Sequence, residues 1–293
     1  MSDRPRVLVT GSSGRVGAAI AAALSTDCEV LGLDLAAGPF TTHRGSIEDA
    51  DLVTKVVQGA VAVVHVASLH APHLGRESDS RFRAVNVGGT RILLEAALRH
   101  GVRRFVYTSS TSLYGRALEP AGEAVWVTEE LQPLPRDIYD HSKLEAEALV
   151  REAAGGGLQC TALRISRCFP EPERLVATYR LYRGVDPRDV AAAHRLALNR
   201  SGRRWEVFNV SAQSPFGRAD CTALLADAPK VLRRRLPWIE AAYRDRGWPL
   251  PAQIDRVYVI DKAARLLGYS PRFNFDTLFH TLQSRQDSGP AGA

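Results

Sequence analysis

Lysine is nearly absent from this chain. Of 38 basic residues only four are lysine, Lys55, Lys143, Lys230 and Lys262, so arginine is the default cation and each lysine asks for a reason. Cysteine is scarce too. Cys28, Cys160, Cys168 and Cys221 show no CxxC spacing, which gives no support to a zinc site and fits reduced thiols in a cytoplasmic protein. No apolar run reaches the ~18–20 residues that span a membrane. The opening "MSDRPRVLVT" has no signal-peptide core and passes almost directly into a strand pattern. The net charge is +6, but the basic residues come in short scattered pairs and triplets such as 103–104, 203–204 and 233–235. No aromatics interleave with them as a base-stacking surface requires, so nucleic acid is not an expected partner. A solvated surface, or mild attraction of an anionic small molecule, fits better.

What is present is an alternation of apolar, β-branched runs with helix-like segments over the first two-thirds of the chain. "RVLVTG" (6–11), "EVLGLDL" (29–35), "AVAVVHVAS" (60–68), "RRFVYTSST" (103–111) and "QCTALRIS" (159–166) read as strands. Their lack of apolar–polar alternation suits a parallel sheet covered on both faces. "RVGAAIAAALS", "SIEDADLVTKVVQ", "VNVGGTRILLEAALRHG" and "YDHSKLEAEALVREAAGGG" read as the intervening helices, and "DPRDVAAAHRLALN" with "EVFNVSA" adds one more helix–strand pair. The expectation is an α/β fold: a doubly wound parallel (Rossmann) sheet with a small C-terminal substrate-binding lobe. Residues 1–168 would form the nucleotide-binding domain, with the sheet completed by about 185–211. Residues 169–184 and 212–282 would form the lobe, and 283–293 a disordered tail.

The glycines of "VTGSSGRVG" follow the first strand and open a helix. Gly11, Gly14 and Gly17 would let the backbone approach a pyrophosphate, with Ser13, Arg15 and Val16 in the same turn. Asp34 ends the second strand about 20 residues on, where an acidic side chain accepts from ribose hydroxyls and repels a 2′-phosphate. NAD is therefore the expected cofactor. Ser46 and Ile47 would lie near its adenine, Val66, Ala67 and Ser68 beneath it, and Asn86 on the helix that follows. His65, at a strand end, reads as a structural histidine.

Tyr139 and Lys143 are spaced i,i+4 and so share one helix face. A free tyrosine has a pKa near 10 and is a poor base at neutral pH. A neighbouring cation favours the phenolate. A compact ammonium can bias the tyrosine and still bond a ribose hydroxyl, which a planar guanidinium cannot do in the same way. A hydroxyl should polarise the substrate oxygen, and "YTSSTSLYG" offers Ser109, Ser110, Thr111 and Ser112 without distinguishing among them.

These segments jointly resemble the extended short-chain dehydrogenases/reductases, the NAD-dependent epimerase/dehydratase family, over residues 5–200 and again at "KAARLLGYSPRF". The resemblance implies Ser110 as polariser, because it lies four residues before Tyr114, with Tyr139 as acid/base and Lys143 as its activator. It implies a homodimer as one option, through two long helices. Dehydratases of the family carry an Asp–Glu pair after the catalytic hydroxyl. Thr111 and Ser112 stand there instead, which argues against sugar-nucleotide dehydration.

Where nucleotide-sugar enzymes carry Asn and "YGP", this chain has Arg167 and "CFPEPERL", and only 17 residues separate Pro170 from Arg188. That length does not hold the usual nucleotide-binding insertion. "RISRCFPEPERL" is also similar to uronate dehydrogenases, which oxidise a hexuronic acid with NAD. That similarity implies Arg174, and Arg167 beside it, as carboxylate clamps. Uronate dehydrogenases lack the 212–256 segment and carry Asn and His at positions 111 and 112. The substrate-facing set is then Ser68, His70, Ser110, Thr111, Arg167 and Arg174. The expected activity is NAD-dependent oxidoreduction of a small sugar or sugar acid. The alternative is a nucleotide-sugar 4-epimerase with tightly bound NAD.

Overall fold

The computed structural model describes residues 4–287. Seven strands form the main sheet: β1 (Arg6–Thr10), β2 (Glu29–Asp34), β3 (His43–Arg44), β4 (Ala62–His65), β5 (Arg104–Ser110), then β7 (Gln159–Ile165) and β8 (Trp205–Val210), with β6 (Val125–Val127) standing apart. Their order is β3-β2-β1-β4-β5-β7-β8, and every pair is parallel. Two further elements, β6 and β9 (Arg256–Tyr258), pair in a separate two-stranded sheet.

The strands read as continuous apolar runs because both faces are covered. Leu8, Leu33, Val63, Phe105 and Ala162 face one core, beneath α2 (Ala50–Val57), α4 (Gly89–Arg99) and α5 (Ile138–Gly155). Their neighbours Val7, Val9, Val64, Val106, Leu163 and Phe208 face another, beneath α1 (Arg15–Leu24), α7 (Pro187–Asn199) and α11 (Asp261–Leu267). Helix starts follow side-chain chemistry: Asp49, Asp137 and Asp186 each cap a helix by accepting from a first-turn backbone N–H.

The chain winds outward from β1 to β3 and then crosses to β4 on the other side. The order therefore reverses between β1 and β4, which opens a crevice at their C-terminal ends. Two departures from the sequence pattern shape this crevice. The strand expected over 60–68 pairs only as far as His65, and Val66–Ser68 curl away, with the amides of Val66 and Ala67 donating to the Thr10 hydroxyl at 3.1 and 3.2 Å. The helix expected from Val85 begins earlier, as α3 (Asp79–Arg83), and passes through a wide π turn at Ala84–Gly88 before α4. A β-carbon on Gly89 would lie 2.6 Å from the Ile47 side chain, so this glycine lets α4 close against the loop after β3.

The remaining elements, α6 (Glu173–Arg180), α8 (Cys221–Ala226), α9 (Ala228–Arg235), α10 (Ile239–Arg244) and α12 (Phe275–Asp287), pack with β6 and β9 on a third core. Aromatics dominate it: Tyr243 stacks on Phe279 with centroids 5.7 Å apart, and Trp238 on Phe275 at 5.5 Å. Asp220, buried at the start of α8, accepts from Arg234 and Arg235 and ties α9 to it. Helix α12 continues to Asp287, into the stretch expected to be a disordered tail; the rest of that stretch, 288–293, lies outside the described residues. No helix among the described residues is long and apolar enough to cross a membrane.

Candidate active site

A cavity of about 750 Å³ occupies the crevice, at the large end of the ~300–1,000 Å³ common for ligand sites. One end is bounded by Asp34, Ser46, Ile47 and Glu48, the middle by the glycine-rich turn and Val66–Ser68, and the far end by Ser110, Thr111, Tyr139 and Lys143.

The glycine-rich turn is sterically determined. Gly11 has φ +70°, and a β-carbon there would lie 2.8 Å from the Ala67 amide. At Gly17 it would lie 1.9 Å from the Gly11 carbonyl. These contacts hold the turn flush against the end of β4 and leave the N-terminus of α1 open to the cavity, with Gly14, Arg15 and Val16 on the wall. At the rim, the Asp34 carboxylate accepts from the Ser13 amide and the Ala36 amide, both at 2.9 Å, so its position is fixed. A cradle without β-carbons, an open helix N-terminus and a fixed carboxylate about one strand away match the phosphates and ribose of a dinucleotide. Ser13 does not line the cavity, contrary to expectation. Its hydroxyl turns back to the Ala36 carbonyl and Thr41 at 2.7 Å.

Asn86 is likewise behind the wall. It is buried and brackets Leu69, accepting from its amide at 2.7 Å and donating to its carbonyl at 3.0 Å, while a further N–H reaches Ser142. Asn86 thus joins the loop after β4 to α5. His65 bridges Thr10 and Thr90 at 2.8 and 2.9 Å, and burial, then the Lys143 charge, pushes it down to about 3. It is a neutral core histidine. His70 does line the cavity, packed on His73 and Phe169 with centroids at 4.5 and 5.7 Å.

Helix α5 presents Tyr139, Lys143 and Glu147 on one buried face against β5. Ser110, the last residue of β5, hydrogen-bonds Tyr139 and accepts from the Ser112 amide at 3.1 Å. Lys143 sends its Nζ to the Thr108 carbonyl at 2.7 Å and lies 4.3 Å from the centroid of the Tyr107 ring. Burial pulls its pKa down to about 7, opposed by the Glu147 carboxylate. Tyr139 is pushed up to about 12 by burial, the Ser110 bond acting in the opposite direction. The expectation that Lys143 lowers Tyr139 is therefore not met here. The ammonium is engaged by a carbonyl and a ring face, and the group that draws the phenol downward is Ser110. Glu147 accepts from Ser109 at 2.8 Å and from Arg164 at 2.6 and 3.2 Å, and Arg164 reaches the Tyr114 hydroxyl at 3.0 Å. This buried network, invisible as a motif, anchors the strand end that carries Ser110.

Arg174 is not at the cavity. Helix α6 begins at Glu173, and its phase leaves Arg174 exposed on the side of Tyr243. Arg167 lines the cavity but is held by Glu171 and stacks near Phe169 and Tyr179. Arg136, Arg183, Arg256 and Tyr258 line it as well and were not anticipated. Only the pairing of Arg183 with the tyrosines of "TYRLYRG" could have hinted at one of them. The only carboxylates on the wall, among the described residues, are Asp34 and Glu48, both at the end remote from Ser110.

Replacing Asp34 by Ala should weaken NAD binding more than NADP binding, by roughly tenfold or more given one lost pair of charge-assisted ribose bonds; a fluorescence titration with each reduced cofactor measures it. Lys143→Met should abolish most turnover yet stabilise the fold. Because the pKa of Lys143 is depressed in the folded protein, the unfolded chain binds more protons between about pH 7 and its ordinary value, and wild-type stability rises with pH across that window. The variant's advantage, roughly 1–4 kcal/mol net of the lost bond to Thr108, should be full at about pH 6 and shrink toward pH 10, as urea midpoints would record.

Residues 7–176 match the model of the NAD dependent epimerase/dehydratase family. The chain is 32% identical over 269 residues to a dTDP-glucose 4,6-dehydratase of Streptomyces antibioticus, covering 80% of this chain and 72% of that one. It is 35% identical over 170 residues to a 3β-hydroxysteroid dehydrogenase/isomerase of Mycobacterium tuberculosis, spanning 45% of that protein's length. Its fold matches a short-chain dehydrogenase/reductase superfamily protein of Agrobacterium tumefaciens solved with bound NAD, at 26% identity and TM-score 0.73 over 97% of both chains. A mutated uronate dehydrogenase, 21% identical with TM-score 0.65 over 96% of this chain and 86% of that one, shares the fold. Sequence, sheet order and cofactor cradle agree, and this chain is an NAD-dependent enzyme of the extended short-chain dehydrogenase/reductase class, a member of the NAD-dependent epimerase/dehydratase family.

Proposed function

We propose that the protein interconverts a hydroxyl and a carbonyl on a small sugar, sugar acid or related compound, through Ser110, Tyr139 and Lys143. The observation that carries this reading is the composition of the cavity's reacting end. Of the extra 212–256 segment only its last residue, Arg256, reaches the cavity, so that segment supplies little wall for a nucleotide there. Bound NAD supplies the hydride acceptor or donor. Ser110 donates a hydrogen bond to the substrate oxygen and so fixes the reacting carbon. Tyr139, beside it, gives a proton to that oxygen in reduction and takes it in oxidation. Lys143 supplies positive charge one helical turn away when protonated. Asn86 and Ser142 act from behind: Ser142 donates to the Tyr139 carbonyl at 2.9 Å, so the loop under the cofactor and the tyrosine move as one body.

Dehydration is disfavoured in spite of the dehydratase relative. Removing water across a carbon–carbon bond needs an acid and a base beyond the tyrosine. Thr111 and Ser112 follow Ser110, and Ser112 is already committed to Asp140 at 2.6 Å. A second reading, a nucleotide-sugar epimerase that retains its NAD, is favoured by one observation: the arginines at the reacting end would also meet a diphosphate.

The test supplies NAD with two pools, free hexuronic acids with aldoses, and nucleotide sugars. Net reduced nicotinamide with the first pool, reduced at least ~1,000-fold in Tyr139→Phe, is the expected result. Isomerised sugar from the second pool without net reduction would mean the epimerase reading is right, and undiminished activity in the variant would remove Tyr139 from the mechanism.

A further inference from the structure

Two hydroxyls of the turn after β5 reach α5, and they reach consecutive residues. Ser110 bonds Tyr139. Ser112 donates to the Asp140 carboxylate at 2.6 Å, the length of a charge-assisted O–H···O⁻ bond. Both serines line the cavity, and the Ser112 amide donates to the Ser110 hydroxyl at 3.1 Å, so the two side chains share one stretch of wall. Asp140 is not on that wall. Its side chain is fully buried, out of reach of anything in the cavity except through Ser112.

The partners of Asp140 are all donors. Its second oxygen accepts from the Arg136 amide at 3.2 Å and from Arg136 Nε at 3.0 Å. Its own amide donates to Asp137, the cap of α5, at 2.9 Å, so the backbone is held as well. A hydroxyl has one proton and two lone pairs. The Ser112 proton is committed to Asp140, and one lone pair receives Arg136 Nη2 at 3.2 Å. One lone pair is left for the cavity. Ser112 therefore meets a substrate as an acceptor that has no proton to give. Ser110 has the opposite polarity, because its hydroxyl donates to the reacting oxygen.

We propose that Ser112 accepts a hydrogen bond from a substrate hydroxyl on the carbon next to the reacting one, with Asp140 as the positioning residue that fixes its polarity. Ser112 follows Ser110 by two residues on a tight turn, so the group it meets lies close to the reacting oxygen. The substrate is then a vicinal diol and its oxidised form an α-hydroxy carbonyl compound. Hydrogen at the neighbouring carbon leaves the acceptor empty. An ether or carbonyl oxygen there sets lone pair against lone pair, so both kinds of analogue lose affinity. The inference rests on the small-substrate reading above only in taking Ser110 and Tyr139 as the place of the reacting oxygen.

Titration calorimetry on the protein loaded with NADH reads this contact without turnover. The probes are glucuronate, whose C2 hydroxyl lies beside C1 as the reacting carbon, and its 2-deoxy and 2-deoxy-2-fluoro analogues. Fluorine accepts a hydrogen bond and gives none. The wild type should bind glucuronate roughly 10- to 100-fold more tightly than either analogue, the scale of one buried acceptor left empty. Asp140→Asn should change the polarity: the two Arg136 donors keep the amide oxygen, the amide N–H turns to Ser112, and the Ser112 proton swings to the cavity. The fluoro analogue should then bind roughly threefold or more tightly than the deoxy analogue, a change that a merely structural Asp140 would not produce. Ser112→Ala, which keeps the ion pair of Asp140 with Arg136, should bind all three probes within roughly threefold, and it decides the matter if Asp140→Asn does not fold. Near-equal binding of the three by the wild type, or a hydroxyl preference undiminished in Ser112→Ala, would overturn the proposal. If UDP-glucose binds and glucuronate does not, the small-substrate reading falls. The same comparison on the 3-deoxy and 3-deoxy-3-fluoro forms of UDP-glucose, beside the C4 that a 4-epimerase oxidises, then judges the acceptor on its own. Binding of neither parent sugar would overturn both.

Discussion

One buried bond organises the site. The Lys143 ammonium, nearly free of solvent, donates to the Thr108 carbonyl near the end of β5. A helix face and a strand end are thereby held at hydrogen-bond distance, and the strand end carries Ser110 while the helix carries Tyr139 one turn earlier. Burial of a cation is costly, which is why its pKa falls to about 7 and why Glu147 stands on the next turn. Glu147 in turn holds Ser109 and Arg164, and Arg164 holds Tyr114, whose hydroxyl reaches Asn209 at 2.8 Å. The chain of bonds runs from the strand end that carries Ser110 to β8, so the geometry at Ser110 depends on packing well away from the cavity. Stability has been traded for position here.

The cavity is electrically polarised. Its carboxylates, Asp34 and Glu48, stand at one end, where Arg81 pairs with Glu48, and at the other stand Arg136, Arg167, Arg183 and Arg256 without a carboxylate on the wall itself. A dinucleotide laid along the crevice would meet Asp34 with its ribose and Tyr139 with its reactive ring. Asp34 at the acidic end would disfavour a cofactor that carries an extra phosphate on that ribose. In a chain with 38 basic and 32 acidic residues, this local arrangement is more informative than the small net charge.

Much of this was legible in the sequence, for identifiable reasons. The parallel strands read as unbroken apolar runs because helices cover both faces, and Gly11, Asp34, Val66 and Ser110 follow from where strands stop. The i,i+4 spacing put Tyr139 and Lys143 on one face. What spacing could not supply was direction. It did not reveal that the Lys143 ammonium turns to a carbonyl, or that the Ser13 hydroxyl and the Asn86 amide face away from the cavity. Arg174 was misjudged because its orientation depends on where α6 starts. Strands β6 and β9 are three residues long and leave no periodic trace, so Arg256 could not be brought to the cavity wall on paper. The π turn hides inside an uninterrupted helical pattern.

The most direct test of the central claim, a dehydrogenase that turns over a small substrate in this polarised cavity, is cofactor exchange. The purified protein would be passed through gel filtration and its retained nicotinamide measured, then supplied with NAD and a hexuronic acid. The account predicts little retained cofactor and reduced nicotinamide accumulating far beyond one equivalent of enzyme. Cofactor that co-purifies and never exchanges, with reduction that stops at or below one equivalent, would contradict it.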